Sequence, residues 1–196
     1  MIKGPITALC AALRYRAALW GMRTRIGAAL LILAVLSSCG THPSRSTAHN
    51  QADITFAQNM IPHHQQAVDM AALVPTHTAN QTMHVIGAHI AADQRAEIKA
   101  LNELLAQWGA SGATSMGDMA GMVDQATMTK LTSLFGTDFD QLWLSAMIGH
   151  HQGAVTMAQA ELAHGENPDA LHMARLIITA QQREIAYMSH LLSKPQ

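Results

Sequence analysis

Two adjacent histidines occur twice in this chain, each time inside an apolar segment with methionines at both ends. The first segment reads MIPHHQQAVDMA (60–71), and the second reads MIGHHQGAVTMA (147–158). Imidazole nitrogens and thioether sulfurs are donors for soft and borderline transition ions, so these residue types indicate a metal site. The alternative is that the histidines hydrogen-bond within a protein core and bind nothing.

The two segments belong to a longer internal repeat with a constant offset of 87 residues. The matched pairs include Met60 and Met147, His63 and His150, His64 and His151, Met70 and Met157, Ile90 and Ile177, Gln94 and Gln181, Glu97 and Glu184, and His77 and His164. Identities at one offset across separate segments indicate that a helical hairpin has been duplicated.

Helices are predicted to position these residues, because apolar positions recur with helical spacing and clusters of β-branched residues are rare. The predicted helices span 53–74, 81–107, 125–135, 138–164 and 168–192. Pro75 is expected to end the first helix, and Gly165 to form a C-terminal glycine cap on the fourth. Asp124 and Asn167 are expected N-caps of the third and fifth. Two such hairpins predict an all-α fold, an antiparallel four-helix bundle with a long connection between its halves.

Helical geometry places the histidines and methionines of each segment on one face, since successive residues are rotated by about 100°. Apolar neighbours flank His64, so His64 is predicted to point into the bundle and His63 to lie along its edge. Pro62 and its counterpart Gly149 are predicted to loosen both helices just before the histidines.

The second helix of each hairpin carries a glutamate within an apolar stripe, Glu97 in one copy and Glu184 in the other. An unpaired buried carboxylate is costly, so each is predicted to pair with a histidine of the facing helix. One interpretation is a network that only fixes helix register. The other is a metal site built from inward side chains of a bundle. The predicted ligand set is His63, His64, Met60, Met70, Glu97, His150, His151, Met147, Met157 and Glu184.

The donor set indicates which metal such a site would hold. Thioethers and imidazoles without thiolates suit Cu(I) or Ag(I), with Cu(II) on a histidine-rich subset. A di-iron site is disfavoured, because neither Glu97 nor Glu184 is followed by a histidine three residues later. We therefore expect copper, as Cu(I).

The glycine-rich connection contributes weaker candidate ligands with regular spacing, Met116, Met119 and Met122. Methionine also fills irregular gaps, so the alternative is that they cover one end of the bundle. Single histidines elsewhere are expected to be surface residues or low-affinity ligands. They are His42, His49, His77, His84, His89, His164, His172 and His190.

The N-terminal region resembles a bacterial lipoprotein signal. Five basic and no acidic residues accompany an apolar run of 11 residues (26–36), which LSSCG (36–40) follows. This layout predicts a signal peptide over 1–38 that is cleaved before Cys39. The thiol of Cys39 is then expected to be lipidated, with palmitate among the acyl chains. A tether over 39–51 would connect it to the domain at 52–193. A plain signal peptide, an uncleaved anchor and a start at Met22 are the alternatives.

The remaining residues restrict the function further. Both cysteines, Cys10 and Cys39, lie in or beside the leader, so the folded domain is expected to have no disulfide and no thiolate ligand. Beyond residue 38 the chain has seven Lys and Arg against thirteen Asp and Glu. An acidic domain without a basic stripe disfavours nucleic acid as a partner.

The doubled motifs, MIPHHQQAVDMA with QRAEIKAL and MIGHHQGAVTMA with QQREIAYM, resemble the family called domain of unknown function 305. The resemblance covers about 53–192 and implies a ferritin-like four-helix bundle, with copper binding in some exported members. It implies ligands at His63, His64, Met70, His150, His151 and Met157. Leu101 stands where the second copy has Met188, so a ligand expected in both halves is missing from one.

Together these features predict a lipid-anchored protein on the extracytoplasmic face of the bacterial membrane that buffers copper or passes it on. A homo-oligomer or a metal-delivery partner is compatible with this. One alternative is a structural or interaction module whose His and Glu network only fixes packing. The other is a metal-dependent oxidase; no catalytic motif is visible, so no enzyme activity is expected.

Overall fold

The computed structural model describes residues 47–112 and 119–193, which form helices and connections without a strand. The helices are α1 (Gln51–His77), α2 (Gln81–Gln107), α3 (Gln125–Ser133), α4 (Gly136–His164) and α5 (Pro168–Leu192). α1 pairs with α2 and α4 with α5, the two hairpins meet mainly through α1 and α4, and α2 and α5 touch far less. The predicted all-α four-helix bundle is confirmed.

Some predicted features lie outside the described residues. These are the signal peptide, Cys39, most of the tether, and Met116. None of the described helices combines the length and hydrophobicity that a membrane span requires.

Side-chain caps set where the long helices begin. Asn50 forms a capping box with Asp53, which starts α1 two residues earlier than predicted. Asn80 and Asn167 accept hydrogen bonds from the first turns of α2 and α5, and Asp124 does the same for α3. The predicted caps at Asp124 and Asn167 are therefore confirmed, and α2 and α5 have the predicted bounds.

Three further predicted helix bounds differ from the structure: α1 ends at His77, α3 ends at Ser133 rather than at 135, and α4 begins at Gly136 rather than at 138. α1 continues through Pro75 to His77, because Oγ1 of Thr76 donates to the Leu73 carbonyl and Nδ1 of His77 lies 2.8 Å from the same oxygen. α4 ends at His164 with Gly165 as its C-cap, as predicted, but the φ of −74° shows that this glycine is not in the left-handed conformation usual for such caps. A Cβ at that position would overlap the carboxyl group of Glu161, so the glycine makes room for a side chain.

The bundle has two hydrophobic clusters at different levels along its axis. The Trp143 cluster includes Met70, Val74, Met83, Ile86, Ile90, Phe139, Trp143, Leu144, Met147 and Met188. The Phe56 cluster includes Phe56, Ala57, Met60, Leu101, Leu105, Ala154, Ala158, Ala174 and Ile177. On α1 and α4, the paired histidines lie between the residues of one cluster and those of the other. On α2 and α5, the Gln and Glu pair lies there.

Candidate metal centre

A layer of polar side chains crosses the bundle between the two hydrophobic clusters. Its members, the central layer, are His63, His64, Gln94, Glu97, His150, His151, Gln181 and Glu184. All four histidines have no solvent-exposed surface, and both glutamines are about as buried. Burial of this many polar groups in one layer requires partners that offset their loss of hydration.

His63 and His150 meet at the contact between α1 and α4. Their ring centroids are 3.8 Å apart and the ring planes are inclined by 35°. The prediction that His63 lies along the bundle edge is therefore wrong. The helical-wheel argument considered one helix only, whereas α4 covers the face on which His63 stands.

His64 and His151 instead face the glutamate of their own hairpin. Nε2 of His64 lies 2.8 Å from Oε2 of Glu97, and Nε2 of His151 lies 2.6 Å from Oε2 of Glu184. The predicted pairing of each buried glutamate with a histidine is confirmed. A carboxylate beside Nε2 favours the tautomer that carries its proton there, which leaves the Nδ1 lone pair free for a metal.

The described end of the connection between the hairpins, residues 119–124, lies against α1 beside the histidines. Nε2 of His63 donates to the carbonyl of Ala120 at 3.1 Å, since that oxygen can only accept, and Nδ1 is again left as a lone pair. The side chain of Gln66 holds Val123 with two 2.8 Å bonds, to its N–H and its carbonyl. Met119 and Met122 flank this contact and are partly buried.

Gly121 and Gly153 allow the described end of the connection to approach α4 closely. A Cβ at Gly153 would overlap the carbonyl of Ala120, and one at Gly121, whose φ is +80°, would come within 2.7 Å of the Gly149 carbonyl. α1 and α4 are continuous through Pro62 and Gly149, and the loosening of both helices before the histidines stays a prediction.

Several nitrogen and oxygen atoms of the central layer have no hydrogen-bond partner among the described residues. They are Nδ1 of His63, His64 and His151, both ring nitrogens of His150, and both amide atoms of Gln94 and Gln181. Buried polar atoms are nearly always satisfied, so this set is the arrangement expected around a bound ion or water. The four imidazoles offer lone pairs of the kind that transition metals bind, but no three His or Glu donor atoms of the central layer lie within 4.8 Å of one another, so an ion there would bind two of them or draw the side chains together.

Gln94 and Gln181 were not among the predicted site residues. The signal was present, because the same amide recurs at the repeat offset on an apolar stripe, three residues before each glutamate. An amide attracts less notice than a charged group, although its burial needs hydrogen bonds as well.

Burial keeps the central pair of imidazoles neutral. Burial, together with the neighbouring His64 and His151, lowers the pKa of His63 from 6.5 to about 3. The pKa of His150 is likewise well below its usual value through burial and three surrounding histidines. Neutral rings at physiological pH can donate lone pairs to a metal without first losing a proton.

The predicted thioethers lie on both sides of the central layer. Met70 and Met147 belong to the Trp143 cluster, Met60 belongs to the Phe56 cluster, and the half-buried Met157 packs against the latter. They thus lie among apolar side chains one turn or two along the helix from the histidines. Their role as ligands stays a prediction.

The chain is similar to known proteins over nearly all of the described helices. The family model of the domain of unknown function DUF305 matches residues 53–192. A DUF305 protein of Streptomyces coelicolor, predicted to be secreted, is 30% identical with a TM-score of 0.68, over 72% of this chain and 91% of that one. A DUF305 fragment from Deinococcus radiodurans is 29% identical with a TM-score of 0.69, over 73% and 96%.

A third similar structure is that of CopM in its Cu(I)-bound form. It is 29% identical with a TM-score of 0.61, over 71% of this chain and 94% of CopM. CopM is also known in Cu(II)-bound and Ag-bound forms. A comparison with curated proteins found no match to the chain.

Proposed function

We propose that this chain, which belongs to the DUF305 family, binds Cu(I) in its central layer and buffers the ion or passes it on. The observation that carries the proposal is the set of buried histidine nitrogens without hydrogen-bond partners. Three of these rings are oriented through Nε2, which lies beside Glu97, Glu184 or the Ala120 carbonyl. Imidazoles with thioethers nearby match the preferences of Cu(I). Binding of Cu(I), Cu(II) and Ag by the similar protein CopM supports the same class of ligand.

The proposed location is the extracytoplasmic face of the bacterial membrane, with a lipid on Cys39 as anchor. The lipobox-like LSSC and the similarity to a protein predicted to be secreted support export. Radiolabelled palmitate should enter the chain and should be absent from a Cys39→Ala variant. Label in the variant would contradict lipidation at Cys39.

Competition for Cu(I) with a chromogenic chelator tests the copper site under anaerobic conditions. The decisive variant is His63→Leu/His150→Leu, because leucine fills about the same space without a donor nitrogen. The matched control is His172→Leu/His190→Leu, whose histidines are exposed on α5. We expect the first variant to lose Cu(I) and the control to retain it.

The competing function is a structural or interaction module whose histidines only fix packing. In that case both variants bind Cu(I) equally, and the central one differs only in its stability to urea. Circular dichroism of both variants identifies unfolding as a cause of lost binding. Equal binding by folded variants would end the copper proposal.

We infer that the copper-loaded protein is not an oxidase. In the central layer, buried side chains leave little room for a substrate beside the ion. Oxygen uptake by the copper-loaded protein in the presence of a reductant, above that of free copper, would contradict this inference.

A further inference from the structure

A second group of metal-ligating side chains lies between α2 and α5, on the outer side of Glu184. His89 and Asp93 belong to α2 and Glu184 to α5, and one donor atom of each lies within 4.8 Å of the others. We propose that these three residues, the outer site, bind a divalent first-row transition ion such as Zn(II) or Cu(II). The proposal does not depend on Cu(I) binding in the central layer.

The spacing of the donor atoms suits one small ion. Nε2 of His89 lies 3.3 Å from Oδ2 of Asp93 and 3.9 Å from Oε1 of Glu184. Bonds of about 2.0–2.2 Å in a tetrahedral site put neighbouring donors roughly 3.3–3.6 Å apart. The first distance already fits, and a small rotation of the exposed His89 side chain brings the second into range.

The chemistry of the outer site differs from that of the central layer. Two carboxylates and one imidazole offer oxygen and nitrogen donors without sulfur, which favours divalent ions over Cu(I) and Ag(I). The two negative charges of Asp93 and Glu184 balance the two positive charges of a divalent ion. His89 and Asp93 are exposed, so water can complete the coordination.

Glu184 is held in place for this role. Only 13% of its side chain is exposed, and Oε2 accepts a hydrogen bond from His151, which leaves Oε1 on the side of His89. An ordinary surface ion pair needs only His89 and Asp93, four residues apart on one helix. The third donor comes from a different helix, and this feature points to a metal ion.

An ion at the outer site would join the two hairpins where they otherwise touch little. α2 and α5 make few contacts, so a bond from His89 and Asp93 to Glu184 adds a crosslink between them. The same carboxylate would connect the outer ion to His151 of the central layer, as carboxylates do in other metal sites. Divalent metal is therefore expected to raise the melting temperature.

Zinc titration of the untagged protein tests the outer site. Silver is added first to saturate sulfur and imidazole donors of the central layer, and Zn(II) binding is then measured by calorimetry. We expect the wild type to bind one Zn(II) more than His89→Leu/Asp93→Ala. The control variant His172→Leu should bind as the wild type does.

The outcomes separate this proposal from the copper proposal. Equal zinc stoichiometry in the wild type and in His89→Leu/Asp93→Ala would overturn the outer site, whatever the protein does with silver. A missing zinc equivalent in that variant supports the outer site even if silver does not bind. Because both substituted side chains are exposed, loss of folding does not account for a missing equivalent.

Discussion

The two hairpins carry the same central layer but differ in what lies around it. In the first, His63 bonds to the Ala120 carbonyl, whereas its counterpart His150 has no partner for either ring nitrogen among the described residues. In the second, Glu184 has His89 and Asp93 beside it, whereas the positions that correspond to these two are Leu176 and Ala180.

The duplication retained the central layer more closely than the surface of the bundle. The buried histidines, glutamines and glutamates occur in both copies, which is expected if both contribute to one shared site. The surface and the ends of the bundle have diverged. Each difference between the halves can therefore be tested by changing one copy and using the other as its control.

The largest expected effect comes from the two glutamates of the central layer. Glu97→Gln and Glu184→Gln keep the shape of the side chain but remove the charge that orients the histidine. Each should weaken Cu(I) binding by about 10- to 100-fold, as changes to groups behind metal-bound histidines do. Glu184→Gln should have the greater effect, because its contact with His151 is shorter.

Chelator competition on both variants measures this difference, with the exposed Glu166→Gln as control. Only Glu184→Gln should also lose the zinc equivalent of the outer site. Unchanged Cu(I) affinity in both variants would mean that the glutamates do not orient metal-binding histidines.

The next effect concerns the ends of the bundle, where Glu161 stands at the position of Val74 in the first copy. Burial, together with a hydrogen bond to Asp53 and the charge of that residue, raises the pKa of Glu161 from 4.5 to about 8. The folded protein therefore retains a proton that the unfolded chain has released, and stability falls as pH rises toward 8. The loss should be roughly 2 kcal/mol from pH 6.5 to 8.

Between pH 6.5 and 8, the change in stability due to Glu161 can be separated from that due to the central histidines. The lowered pKa of His63 acts below 6.5, where falling pH protonates the unfolded chain first and reduces stability. Urea unfolding of the metal-free protein should show a decline above pH 6.5 that Glu161→Gln removes and Glu166→Gln does not. The same decline in Glu161→Gln would assign it to another group.

Sequence patterns were sufficient where local rules decide the outcome. α2 and α5 have the predicted bounds because Asn80 and Asn167 cap them, and the glutamates find histidines because a buried carboxylate needs a partner. The Ala120 contact could not be predicted, since it joins residues 57 positions apart. Neither could the outer site, in which His89 resembles any exposed histidine until α5 brings Glu184 beside it.

A smaller effect is expected where the connection crosses α4. Gly153→Ala would place its Cβ against the Ala120 carbonyl, so the connection must move away from His63. We expect a loss of roughly 1 to 2 kcal/mol in unfolding free energy, as for overpacked sites. Gly112→Ala is the control, because a Cβ there would contact no atom of the described residues. If both variants unfold at the same urea concentration, the contact with α4 does not contribute to stability.

The smallest effect tests whether the outer site can be transferred to the other half. Leu176→His/Ala180→Asp places on α5 the two residue types that α2 carries, at the corresponding positions before Glu97. If the hairpins are equivalent in geometry, this variant should bind one more Zn(II) than the wild type. Zinc at about three times its Kd should then raise the unfolding free energy of this variant by about 0.8 kcal/mol more than that of the wild type.

Calorimetry gives the added equivalent, and the melting temperature with and without zinc gives the stabilisation. Glu97→Gln in the same background serves as the control, because the new site needs that carboxylate as its third donor. Zinc bound in the control as well would show that the grafted pair acts alone on α5. If the variant binds no additional zinc, the distance between α2 and α5 near Glu97 differs from that near Glu184. The two halves would then share the central layer but not the geometry outside it.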